Sequence, residues 1–212
     1  MNRRGPYIVT HSGRQVWAFD LRPEDIDFND VAYSLARQNR YAGHAALPVG
    51  LHSIACADVA RILFPSEPIL WLCALYHDGP EAYLQDIVGP HKKWLAQFTS
   101  EYDAAEQRAW EAFAELLRVP KDLPEEVKMI DADVYLAECR YLGRPCRQDE
   151  YRGPIDITEP VHDLLDLYGC EPHPITVQDD FLDEHDGIEL DSKAFGRVDS
   201  AWHHPLYTGT SR

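Results

Sequence analysis

The sequence predicts a mainly α-helical protein that opens with a small β-hairpin and closes with an irregular C-terminal extension. Three observations predict this. Apolar residues recur at helical spacing in four segments, 51–64, 69–76, 102–117 and 124–142. The stretch YIVTHSGRQVWAF at 7–19 alternates loosely around a Ser-Gly turn. Residues 171–212 are rich in Asp, His, Pro and Gly, with weak periodicity.

Each element has a local reason. Pro23 and Asp25 introduce a helix to about residue 38, with Ile26, Val31, Ala32, Leu35 and Ala36 inward. The Gly- and Pro-containing segment 42–50 is a loop. Segment 51–64 turns Ile54, Val59, Ile62 and Leu63 to one face, whereas 69–76 is apolar nearly all round and should be central. Segment 102–117 repeats Ala105, Ala109, Phe113, Leu116 and Leu117. Segment 124–142 starts at a proline and stops at Gly143, and a short helix at 160–168 stops at Gly169. The length, 212 residues, suits one domain over 1–170 with 171–212 as an extension of unclear structure.

Composition narrows the function. A net charge of −16 argues against nucleic-acid polymers, whose binding rests on neutralising many phosphates with Lys and Arg. The N-terminus lacks the apolar run of a signal peptide, and no stretch of about 18 apolar residues occurs, so a cytoplasmic protein without a membrane partner is expected. The five cysteines show no C-x-x-C pair, and Cys56, Cys73 and Cys139 lie in apolar helical stretches as small hydrophobes. His203 and His204 in the tail read as adventitious.

The chemistry sits in His52, the pair His77-Asp78, and Asp131, carried by three different predicted helices. Imidazole and carboxylate together suit a divalent transition ion such as Zn, Co or Mn, with Mg also accommodated. Glu81, four residues after His77, shares its face on a continuing helix, where a carboxylate orients water or acts as a base. Asp86 lies beyond it. Asp133 is on another face from Asp131 and reads as solvated, as does Lys93. His44 and His91 read as ordinary loop residues flanking the pocket.

The segments LHSIACADVA, LCALYHDGPEAYLQDIVGPHKKWL and EEVKMIDADVYLAECRYL resemble the HD-domain metal-dependent phosphohydrolases, with RPEDIDFNDVAYSLARQNRYAGH before them. Within these the chain is most similar to bacterial 5'-deoxynucleotidases and their phage relatives, which include dATP triphosphohydrolases. The resemblance implies an HD helical bundle and one metal held by His52, His77, Asp78 and Asp131. It implies catalytic carboxylates at Glu81 and Asp86, and an Arg-aromatic pair, Arg40-Tyr41, lining the nucleotide pocket. Pro90, Lys92 and Lys128 fall at substrate-facing positions. A small nucleotide substrate and a homodimer are implied too. The expected reaction is removal of the 5'-phosphate from a monophosphate such as dAMP. Release of triphosphate from dATP is the alternative, and a non-catalytic nucleotide or metal sensor the alternative of another class. The chain departs from the pattern at Gly79-Pro80, where proline disfavours continued helix.

Overall fold

The computed structural model describes residues 3, 5–146, 151–169 and 171–194; Cys170, His203 and His204 lie outside them. It is mainly α. A two-stranded antiparallel hairpin, β1 (Ile8–Val9) and β2 (Gln15–Val16), pairs Ile8 with Val16 and Val9 with Gln15. No helix among the described residues is long and apolar enough to cross a membrane.

The hairpin is pinned to α1 (Phe28–Leu35) by Asp30, whose carboxylate accepts from the Ser12 amide and the Ser12 hydroxyl, both at 2.7 Å. The helix starts later than the sequence suggests. Pro23–Asp25 forms a separate 3-10 turn, and Asp27 caps α1 by accepting from the amides of Asn29 and Asp30. Burial works to raise the Asp30 pKa, but the hydrogen bonds around Thr10 and Ser12 outweigh it, so the pKa falls below the usual 3.8. A depressed folded value stabilises the protein above the unfolded pKa and loses that stabilisation as pH falls through the folded value. Asp30→Asn should therefore lower stability by about 1–2 kcal/mol near neutrality. The difference from wild type in urea midpoints should shrink below the usual carboxylate value; a pH-independent difference would contradict this role.

The core is the pair α2 (Val49–Leu63) and α3 (Pro68–Tyr76). In α3 every residue from Leu70 to Tyr76 is buried, as its unbroken apolarity predicts. Short helices α4 (Glu81–Leu84) and α5 (Gly89–Leu95) follow, then α6 (Glu101–Leu117) and α7 (Glu125–Tyr141). The expected stop after α7 occurs: Arg144 and Gly143 donate to the carbonyls of Cys139 and Arg140, closing the last turn. Helix α8 (Thr158–Tyr168) packs on α7.

Two expectations are corrected. The extension is not irregular up to residue 194, because Pro174–Ala194 forms helix α9, packed on α1, α2 and α3. Its Val177, Phe181, His185 and Ile188 are buried at spacings of four, four and three. Charged residues between them dilute the apolar signal, so only the docked surface reveals the helix. Asp133 is not solvated either: it is 2 % exposed, and its carboxylate accepts from the amides of Arg152 at 2.8 Å and Gly153 at 2.7 Å. The loop 151–157 covers a helix face that α7 alone would leave to water.

Candidate metal centre

His52 is in the interior of α2, His77 caps the C-terminal end of α3, and Asp131 is in the second turn of α7. Packing of α2 against both other helices brings them together. Asp131 Oδ1 is 3.1 Å from His52 Nε2 and 3.8 Å from His77 Nε2. Asp78 Oδ2 is 3.8 Å from the first of these nitrogens and 3.3 Å from the second. Each of the two carboxylates thus lies within 4 Å of both imidazole nitrogens.

The far side of each ring fixes its tautomer. His52 Nδ1 is 2.7 Å from Glu138 Oε1, and His77 Nδ1 is 2.7 Å from the Ala74 carbonyl, so each Nδ1 carries the hydrogen. Each Nε2 then turns a bare lone pair toward the carboxylates. His77 Nε2 is buried without a hydrogen-bond partner, and His52 Nε2 faces a second acceptor, Asp131. Lone pairs held that close call for a cation or a proton between them, and an orienting acceptor behind each imidazole is the usual support of a metal ligand. The pKa directions have the same origin. Burial lowers that of His77, but Asp78 and Asp131 overcome it and raise it to about 10. Burial raises that of Asp78, while His77, His52 and Arg40 hold it far below the carboxylate range.

Cys56, one turn after His52, is buried with Sγ 3.5 Å from His52 Nε2. His52, Cys56 and His77 form a group that can hold a metal ion. The sequence reads Cys56 as a plain hydrophobe because spacing alone does not reveal which buried face adjoins His77.

Glu138 is the residue the sequence reading missed. It is fully buried, and besides His52 it meets Arg40 Nε at 3.2 Å and accepts from the Tyr41 hydroxyl at 3.3 Å. Burial opposes its charge, yet Arg40 and His52 keep its pKa low. Its signal was present, since residue 138 lies two turns after Asp131 on the same helix face.

The other expected site residues divide between two cavities. Arg40, Tyr41, Asp86, Pro90, Lys128 and Asp131 line one of about 820 Å³, which His44 and His91 also line. Tyr41 and Ala42 hold positive φ of 59° and 54°, an unfavourable backbone that shapes this wall. Glu81 and Lys92 line the neighbouring cavity of about 360 Å³ with His77 and Asp78, and Lys128 lines both. Arg40 is 3.6 Å from Asp78 as well as paired with Glu138. Lys92 Nζ lies 2.6 Å from Glu106 and 3.5 Å from Glu81. Both cations are therefore engaged by carboxylates.

Gly79-Pro80 does end α3, but a tight turn follows directly: the Glu81 amide donates to Asp78 and that of Ala82 to Gly79. Glu81 stays beside the cluster, and only glycine fits at 79, where a Cβ would lie 2.9 Å from the Tyr76 carbonyl. Gln38 braces the turn, donating to the Glu81 carbonyl at 3.0 Å and accepting from the Asp86 amide at 3.1 Å. Burial, with Asp78 and Asp86 nearby, holds the Glu81 carboxyl well above its ordinary range.

No protein-family model matches the chain. It is 33% identical over 97 residues to an uncharacterized protein of Rhodobacter capsulatus, a match over 43% of this chain and 50% of that protein. It is 32% identical over 139 residues, 65% of its length, to the uncharacterized protein YfdR of Escherichia coli (strain K12). Since that alignment extends over 72% of YfdR, the chain belongs to the YfdR family.

Proposed function

We propose that this protein is a metal-dependent phosphohydrolase of the HD type that removes the 5'-phosphate from small deoxynucleotides, dAMP among them. The observation that carries the reading is the approach of Asp78 and Asp131 to the two imidazole nitrogens, at 3.1–3.8 Å, with Asp131 on the wall of the cavity of about 820 Å³ and Asp78 on the wall of the neighbouring one. His52, His77, Asp78 and Asp131 would hold one divalent ion such as Zn, Co or Mn, with Cys56 behind them. Such an ion supplies Lewis acidity toward the phosphoryl group and acidifies water. The protein's own residues do the rest. Glu81, poised beside Asp78 and partly shielded from solvent, orients water and takes its proton. Asp86 faces the substrate cavity. Tyr41, its ring 6.0 Å from that of Tyr135, offers a stacking surface for base or sugar. Arg40 holds Asp78 and Glu138 in place.

Phosphate release from a nucleotide panel, with product identification, tests this. Glu81→Ala should cut turnover by roughly 10²–10⁴-fold while metal content stays unchanged. A wild-type protein that binds nucleotides but releases nothing from any of them would leave the sensor reading standing instead. The triphosphohydrolase reading draws on one specific feature, the basic residues Lys128, His91 and Arg152 around the large cavity. The homodimer expected from the resemblance belongs to the same proposal and is read by sedimentation.

A further inference from the structure

The cations expected to receive phosphate are mostly spoken for. Arg40 pairs with Glu138 and Asp78, and Lys92 with Glu106 and Glu81. Lys128 pairs with Glu125 at 2.6 Å, an exposed contact that a phosphate readily displaces. One strong cation on the large cavity has no such engagement. Arg152 lines it, is exposed, and its guanidinium has neither an ion pair nor a hydrogen bond among the described residues.

The loop that carries Arg152 is built rather than loose. Its own amide and that of Gly153 both donate to the buried Asp133 carboxylate. At Gly153 a Cβ would lie 3.0 Å from Asp133 Oδ2, so any larger residue would push the carboxylate back by a few tenths of an ångström. On the other flank, Tyr151 shares a hydrogen bond with Thr158 and lies under the Arg140 guanidinium, 4.7 Å from its ring centre. Asp133 is two residues from Asp131 on the same helix. The backbone that presents Arg152 is thereby held at a set offset from the metal centre, while its guanidinium is left open to the cavity. In a chain of net charge −16, an unpaired arginine held this way is suited to a polyanion.

The geometry points to Arg152 as a specificity-determining residue that binds the part of a nucleotide's phosphate chain remote from the metal, with Lys128 beside it. This rests on the nucleotide-hydrolase reading above and deepens its triphosphate alternative, because a monophosphate has no phosphate remote from the metal.

The test uses the intact, metal-loaded protein and two probes, inorganic tripolyphosphate and orthophosphate, measured by calorimetry. Arg152→Gln should weaken tripolyphosphate binding by roughly ten- to a hundredfold and orthophosphate binding much less. Arg152→Lys should restore part of the loss, and Lys121→Gln, an exposed charge away from the cavity, should change neither. Steady-state kinetics should show the deoxynucleoside triphosphate losing more in KM than the monophosphate. If Arg152→Gln binds tripolyphosphate as tightly as wild type does, the assignment is wrong even where nucleotides are hydrolysed. If tripolyphosphate binding falls selectively in a protein that hydrolyses no nucleotide, the anion site stands and the proposed activity fails.

Discussion

Exchange of His77 or Asp78 for alanine should remove bound metal and hydrolytic activity together. His77 belongs to the group that can hold a metal ion, and Asp78 Oδ2 lies 3.8 Å from His52 Nε2 and 3.3 Å from His77 Nε2. Loss of Lewis acidity worth several kcal/mol corresponds to on the order of 10³-fold or more in turnover. A second readout separates metal loss from unfolding. Added zinc or cobalt should raise the melting temperature of wild type, because a ligand of the native state stabilises by mass action, and should leave the variants unmoved. A His77→Ala protein that keeps both its metal and its rate would end the proposal.

Phe181→Ala should lower stability by about 3–5 kcal/mol, the usual cost of emptying a fully buried aromatic site. For a chain of this size that is a fall of roughly 6–20 °C in melting temperature. The change should also reach the metal centre. Phe181 packs edge-on against Tyr76 at 5.3 Å, and Phe28, Phe113 and His185 surround the same ring at 5.4, 5.9 and 5.6 Å. Tyr76 immediately precedes His77, so a loosened ring loosens the corner that aims both His77 and Asp78. Metal affinity should fall in Phe181→Ala although the residue touches no ligand. A thermal shift of only a degree or two would mean that α9 is a passive attachment and not part of the core.

Residues whose roles follow from local spacing were legible in the amino-acid sequence. Helical periodicity marked α2, α3, α6 and α7. The His52, His77-Asp78 and Asp131 arrangement named the residues that the structure brings within 4 Å. Glycine and proline marked where α3 and α7 end, because they change the backbone itself. Roles that depend on what a face meets were not legible. Asp133 reads as solvated until loop 151–157 covers it, and Cys56 as mere filling until α3 brings His77 beside it. The dilute apolar stripe of α9 becomes a helix face only against α1, α2 and α3. Arg40 and Lys92 read as free cations until Glu138 and Glu106 claim them, whereas the Arg152 guanidinium has no ion pair among the described residues. Sequence alone determined which chemical groups are present and which backbone segments carry them. Only tertiary packing decided which charges are neutralised and which remain available, because desolvation and pairing depend on neighbours far apart along the chain.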